Sequence, residues 1–416
     1  MCPPARKVGP VKINKLTCVA VAVVASLGLA ACGGSESSDG DGITIGSVHP
    51  LTGALAGVGG LMNDGAKLAV EDINKDGGIE SLDGAKLKLS DGDSKGKAET
   101  GQSEAQRLID DDAVALVGTY QSDVTQNVAS VAERAKVPFV IDVAVDDKIL
   151  DQGYKNTFRI QPDATSMGTS GAQSLVEMGK RNDTPIKTVS YIHIEGSFGD
   201  SVFKAFEKEA QKQGIEVVKE VTYPATNFSD ATTQVKEASA AKPDVIATTG
   251  YYPDGLLVAK AVADLKPGIK ALYGIANGAF DDGSFPKDAG AAGENVLSAN
   301  YHYSAKSDRV ADIRKRFQEK YGKPMETASM LSYQAVEVIA EGLEKSGSDD
   351  PAELRKAIAG LELDDPLLAF DGPIRFDERG QNENATVIVM QVQKGAVEQV
   401  FPEDFATKDL VFPAAK

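Results

Sequence analysis

The sequence predicts an α/β protein of the doubly wound kind, and three observations carry that prediction. Short β-branched runs alternate with longer helical patterns over most of the chain. The runs are apolar along their length instead of alternating with polar residues, as strands buried on both faces of a parallel sheet are. No stretch after residue 31 approaches the roughly 18 consecutive apolar residues of a membrane span.

ITIGSV (43–48) opens the series as a strand, and a helical pattern follows over 61–75. KLKLS (86–90), a helix over 98–111, AVALVG (113–118), a helix over 122–135 and PFVI (138–141) continue it. A helix over 165–180 leads into KTVSYIH (187–193), a helix over 200–213, IEVV (215–218) and a helix over 229–240. DVIATT (244–249), a helix over 254–265 and KALYGI (270–275) complete the alternation. Helical patterns then fill 308–321, 328–345 and 351–359, and 386–392 reads as a late strand. Ligands of open parallel sheets meet the carboxyl ends of the strands, where loops enter helices. That rule selects SVHPLTGALAGVGG, GTYQSDVT, DVAVDD, HIEGSFGD, GYYPDG and GIANG as the informative loops.

Residues 1–31 read as an export signal, with basic Arg6, Lys7, Lys12 and Lys15, an apolar run over 16–29 and small residues before Cys32. LAAC (29–32) is similar to the lipobox of bacterial lipoproteins, which implies cleavage before Cys32 and its acylation. GGSESSDGDG (33–42) has nothing to bury and reads as a flexible tether. Cys2 and Cys18 lie in the removed segment, so the expected mature chain holds Cys32 alone, with neither a disulfide nor a thiol nucleophile in its body. Its 385 residues suffice for two domains. The formal charge of the whole chain is −17, and without the four basic residues of the signal it is −21, which repels nucleic acid and anionic lipid alike.

Four segments together resemble the substrate-binding proteins of branched-chain amino-acid ABC transporters, the Leu/Ile/Val-binding family. They are PLTGALAGVGG with DGAKLAVEDINKDGGI, the turn GTYQSDVTQ, VPFV with DQGYKNTFRI, and GYYPDG; GPIRFDERG (372–380) matches the family's closing strand and turn. The resemblance covers about 43–400 and implies a type I periplasmic-binding fold of two lobes joined by three crossovers. Lobe one would take 43–161 plus 302–370, and lobe two 162–301 plus 371–416. It further implies a monomeric, extracytoplasmic, lipid-anchored receptor that closes on a small ligand and presents it to a membrane permease. A sensor without transport is the alternative at the level of partners.

By the same resemblance, Ser122 at a helix start, with Thr119 and Gln121, holds the ligand's carboxylate, as exposed first-turn N–H groups and the helix dipole would favour, and Tyr120 at the same strand end forms a wall of the site. Val143, Ala144 and Val145 supply backbone donors, with Val145 standing where the family has a threonine. Val58 and Phe198 align with family tyrosines, and Tyr251 with a ligand-contacting one, Tyr252 packing behind it. His49 belongs to the strand-end rim. The acid that meets an ammonium falls in GIANG, where only Ala276 or Asn277 can occupy it, so Asp254, Glu195 or Asp142 would have to substitute. A hydrophobic amino acid is the expected ligand, and an acid or amide without an α-amino group the alternative.

No enzyme is expected. Gly57-Val58-Gly59-Gly60-Leu61-Met62 lacks the third glycine of a dinucleotide turn, and no G-x-S-x-G occurs. Ser201-Val202-Phe203-Lys204 fits S-x-x-K without a later K-T-G, and the histidines at 49, 193 and 302 form no H-E-x-x-H. DGDSKGK (91–97) lacks the twelfth-position glutamate of a calcium loop and reads as a solvated turn. Neither a cofactor nor a metal is expected.

Overall fold

The structure is a computed structural model that describes residues 42–414. The expected signal, Cys32 and all of the tether but Gly42 lie outside the described residues.

The chain begins β1 (Ile43–His49), α1 (Ala56–Lys75), β2 (Leu87–Asp93), α2 (Ala98–Asp110), β3 (Ala113–Gly118), α3 (Ser122–Ala135), β4 (Phe139–Ile141) and β5 (Thr157–Arg159). These five strands form one parallel sheet in the order β2-β1-β3-β4-β5. There follow α4 (Ala164–Arg181), β6 (Thr188–Ile194), α5 (Ser197–Lys212), β7 (Glu216–Tyr223), α6 (Thr232–Ala240), β8 (Val245–Gly250), α7 (Tyr252–Leu265), β9 (Ala271–Asn277), α8 (Phe285–Ala289) and β10 (Leu297–Asn300). The chain ends with α9 (Asp308–Tyr321), α10 (Thr327–Ser346), α11 (Pro351–Ala359), the short pair β11 (Glu362–Leu363) and β12 (Ile374–Arg375), then β13 (Ile388–Gln393) and β14 (Ala396–Phe401). The second sheet has the order β14-β13-β10-β9-β8-β6-β7, parallel except where β13 and β14 join its edge antiparallel.

The sheets belong to the two lobes of a type I periplasmic-binding fold. β1, β3 and β4 are almost wholly buried, as their apolar sequences require, and so are β8 and β9 of the second sheet. β5, β10, β14 and α8 have no counterpart among the runs the sequence predicts. The first two are only 3 and 4 residues long, and β14 lies half-exposed at a sheet edge, where no continuous apolar run is needed. α1 starts five residues before the expected 61 because its glycines, which signal a loop in isolation, here permit close packing. A Cβ on Gly59 would stand 2.2 Å from the Pro50 carbonyl oxygen, and one on Gly65 would stand 2.2 Å from that of Ser329. The Gly65 approach lets α10 lie hard against α1 and carries the start of α10 to the carboxyl end of the first sheet.

Where the chain passes between sheets, its segments are stitched side by side. Arg159 N–H donates to the Gly380 carbonyl (2.7 Å), and Asn382 N–H donates to the Arg159 carbonyl (2.9 Å). Asn382 Nδ2 donates to the Ile160 carbonyl and Gln381 Nε2 to that of Gln161. Ala369 N–H donates to the His302 carbonyl, and Ser304 N–H to that of Leu367. All three passages are therefore backbone-paired.

DGDSKGK proves to be a staple. Asp93 accepts from Leu51 N, Thr52 N, Thr52 Oγ1 and Lys95 N, and so fixes the loop that leads into α1.

Candidate functional site

A cavity with about 770 Å³ of empty space, its open mouth included, lies at the carboxyl ends of strands from both sheets. Val58 and Leu61 from α1, Tyr120 and Ser122 from the β3–α3 turn, Val143, Ala144 and Val145 after β4, and residues 326–329 at the start of α10 line one wall. Phe198 at the start of α5, Gly250 at the end of β8 with Tyr251 beyond it, Ala276 in β9 with Gly278, Asp281 and Asp282 beyond it, and Asn300 at the end of β10 with Tyr301 beyond it line the other.

Tyr251 is the aromatic centre of this space. Its ring centroid is 5.3 Å from that of Tyr120 across the cleft and 5.4 Å from that of Phe198, on which it stacks. The next residue turns away: Tyr252 Oη donates to Asp288 Oδ2 on α8 at 2.6 Å. Tyr301 Oη donates to the Val143 carbonyl and ties the two walls together at the floor. Ser122 Oγ accepts from Asp146 N–H at 3.3 Å, which leaves its own proton to donate.

Eight of the twelve candidate ligand residues line the cavity. Four do not. Thr119 is fully buried, and its hydroxyl bonds Thr125 Oγ1 and the Gln121 carbonyl inside the turn. Gln121 reaches outward to the Gly96 carbonyl. Asn277 Oδ1 accepts from Ala279 N–H and packs over Gly255, where a Cβ would meet it at 2.4 Å. His49 is buried in a core network with Ser47, Asp142 and Ser332, at 2.7 Å from Asp142 Oδ2.

The three acids suggested as substitutes are placed elsewhere too. Asp142 serves that core network, Asp254 caps α7 by accepting from Tyr251 N–H, and Glu195 accepts from Thr222. The acids on the cavity wall are instead Asp281, Asp282 and Glu326. Shortly before the first two, Ala276 within β9 sits at φ +49°, in the left-handed region. Glu326 precedes α10, and its Oε2 accepts from Gly283 N–H at 3.0 Å, across the cleft. The signals in the sequence were the paired Asp281-Asp282 just beyond GIANG and the helix start Glu326-Thr327.

Burial pushes the Asp281 carboxyl up to about 8, with a further push from Asp282 and only partial relief from its hydrogen bonds. Burial also raises Asp282, beside Glu326, and raises Glu326 itself. Such groups bind protons in the fold that the unfolded chain has released above its carboxylate range near pH 4, so they oppose folding increasingly as pH rises toward 8. The ligand-free protein is expected to melt at higher temperature at pH 6 than at pH 8, and Asp281→Asn to flatten that slope. Melting curves at the two pH values check it; an Asp281→Asn slope as steep as the parent's would refute the assignment.

A family profile described as "Periplasmic binding protein" matches residues 42–396. The chain belongs to that family. Leu/Ile/Val-binding protein homolog 7 of Brucella abortus (strain 2308) is 28% identical over 389 residues, covering 89% of this chain and 94% of its own. An ABC transporter substrate-binding protein from Desulfitobacterium hafniense, solved in complex with Leu, superposes with a TM-score of 0.71 at 25% identity over 86% of this chain and 100% of its own. A solute-binding protein of an R. palustris ABC transporter, solved with benzoate, has a TM-score of 0.75 at 20% identity over 86% of this chain and 95% of its own, a likeness of fold.

Proposed function

We propose that the protein is an extracytoplasmic solute receptor of an ABC importer, holding one small organic ligand between its lobes and presenting the closed form to a permease. The observation that carries this reading is the cavity itself, walled by both lobes at strand ends and centred on Tyr251. Tyr120, Phe198 and Tyr251 offer apolar faces, and Val58, Leu61, Val143 and Val145 enclose an aliphatic space. Ser122 and the first-turn N–H groups of α3 present donors to a carboxylate. A hydrophobic amino acid suits that combination, and the relatives that carry Leu/Ile/Val-binding names and the leucine-bound structure support it. The receptor works as a monomer and without a cofactor. Thermal-shift titration of the purified protein against leucine, isoleucine, valine and phenylalanine tests the reading, since a ligand of the native state raises the melting temperature by mass action. Tyr251→Ala is expected to abolish the shift by removing the contact between the two walls; a full shift in that variant would place the ligand elsewhere.

Anchoring follows from the run of basic residues, apolar segment and LAAC. Cys32→Ala is expected to release the protein from the membrane fraction and to lose fatty-acid label, and label retained in that variant refutes the lipid anchor.

A further inference from the structure

We propose that a second cavity, lined by β5, α11 and the turn after β12, binds a small oxyanion, a phosphate or carboxylate group, through Arg355 and Thr157. It shares no residue with the cleft between the lobes. Its empty space is about 520 Å³, mouth included, within the range of roughly 300–1,000 Å³ usual for small-molecule sites. Lys155, Arg355 and Arg379 all line it, in a chain whose formal charge is −17. The wall also carries two acids, Asp377 and Glu378. Asp377 is committed: its carboxylate accepts from Arg379 N–H, Gln381 N–H and Arg379 Nε. Glu378 is exposed at the rim, where water screens it. Arg379 is thereby already paired, with Asp151 as a second acid at 3.7 Å.

Arg355 is different. It is half-buried on α11 and has neither a hydrogen bond nor an ion pair among the described residues. A guanidinium is a fork of five donors with no acceptor of its own, so a carboxylate or phosphate that takes two of them at once is its complement. Thr157 points to the same occupant independently. The residue is 1% exposed and lines the cavity, and its Oγ1 is buried with no hydrogen-bond partner. Buried hydroxyls are rarely left so, and this one has a proton to donate to an anion. Beside it, Phe158 and Phe376 pack with ring centroids 5.2 Å apart. These apolar neighbours lower the local dielectric and strengthen any charge-assisted bond that Arg355 makes.

The frame around these groups is tied before any anion arrives. Asp377 N–H donates to the Gln381 carbonyl (2.8 Å) and Gly380 N–H to the Asp377 carbonyl (2.9 Å), which closes the turn on itself. Gly380 sits at φ +88°, and a Cβ there would stand 2.2 Å from the Thr157 carbonyl oxygen, so the turn presses directly on β5. Lys155 Nζ reaches the Glu378 carbonyl at 3.4 Å and holds its charge at the same mouth. An oxyanion would therefore meet donors that need little further ordering, which removes part of the usual cost of binding.

Calorimetry on the purified protein tests this with inorganic phosphate and with acetate, each titrated at constant ionic strength in a chloride buffer. Saturable binding of at least one of them at a single site is expected. Acetate bound as tightly as phosphate makes the site one for carboxylates, and phosphate bound alone makes it one for phosphoryl groups. Arg355→Gln is expected to weaken binding about tenfold or more, and Arg355→Lys, which keeps the charge but not the fork, to recover part of that loss. Thr157→Val, of nearly the same shape, is expected to weaken binding about threefold or more. Arg355 has no partner to lose, so its variants are expected to melt as the parent does in phosphate-free buffer; if they do not, Thr157→Val alone decides. Ser122→Ala, which removes a donor of the cleft, is expected to leave the anion's affinity within about twofold. Binding of neither anion, binding untouched by Arg355→Gln and Thr157→Val, or binding lost in Ser122→Ala would each overturn the second site, and the receptor reading would stand.

Discussion

Arg159→Ala is expected to destabilise the protein by about 3–5 kcal/mol, the usual cost of deleting one member of a buried charged network. Arg159 is the largest fully buried side chain among the described residues, 1% exposed, at the end of β5 where the chain leaves the first sheet. Its Nε donates to Gln381 Oε1 at 2.7 Å and its Nη1 to the Asp146 carbonyl at 2.8 Å. Burial pulls its pKa down, and the charges of Asp163, Asp147 and Asp146 oppose that pull. Alanine would strand two acceptors and open a void at the seam of the first and third passages between lobes. Gln381 would lose the bond that sets its amide against the Gln161 carbonyl. Urea unfolding of the variant and the parent checks the figure; a loss below about 1 kcal/mol would show that the backbone pairing alone holds the seam.

A second loss of similar size, again about 3–5 kcal/mol, is expected for Asp142→Ala. Asp142 Oδ2 takes hydrogen bonds from Ser332 Oγ (2.6 Å) and His49 Nε2 (2.7 Å), and His49 Nδ1 meets Ser47 Oγ (2.9 Å), which donates on to Asn63 Oδ1. The chain links β1, β4, α1 and α10 with no exposed member, and Asp142 and His49 are both 0% exposed. It has the residue types of a hydrolase triad, but no substrate can reach Ser332, which also bonds the Ala328 carbonyl within its helix. Its role is to fix α10 on the first sheet and so to place Glu326. Asp142→Ala should therefore weaken ligand binding through α10 as well as lower stability. Unchanged stability in that variant would refute the network's structural role.

Most of the architecture was legible because buried parallel strands need apolar runs and their helices need amphipathic ones. ITIGSV, AVALVG and DVIATT all became fully or almost fully buried strands for that reason. β5 and β10 were not legible, since strands of 3 and 4 residues held by neighbours need little pattern of their own. The loops on the cavity were found from the strand-end rule, but side-chain direction within a loop was not. Thr119, Gln121, Asn277 and His49 all sit in the selected loops, yet Thr119 bonds within its own turn, Gln121 donates to the Gly96 carbonyl, Asn277 Oδ1 accepts from Ala279 N–H and His49 bonds into the core behind it. The acidic wall was missed for a different reason. Asp281 and Asp282 follow a strand in which Ala276 adopts a positive φ, and Glu326 stands at the start of a helix nearly fifty residues further on. Neither a sign-reversed dihedral in a non-glycine residue nor a contact at that separation leaves a periodic trace.

Closure of the two lobes on a ligand held at Tyr251 between them is read by small-angle X-ray scattering. The purified protein is measured alone and with leucine at a concentration that calorimetry shows to be saturating. A smaller radius of gyration is expected with ligand than without, and no such change in Tyr251→Ala under the same conditions. An identical radius of gyration in the free and saturated parent protein would contradict it.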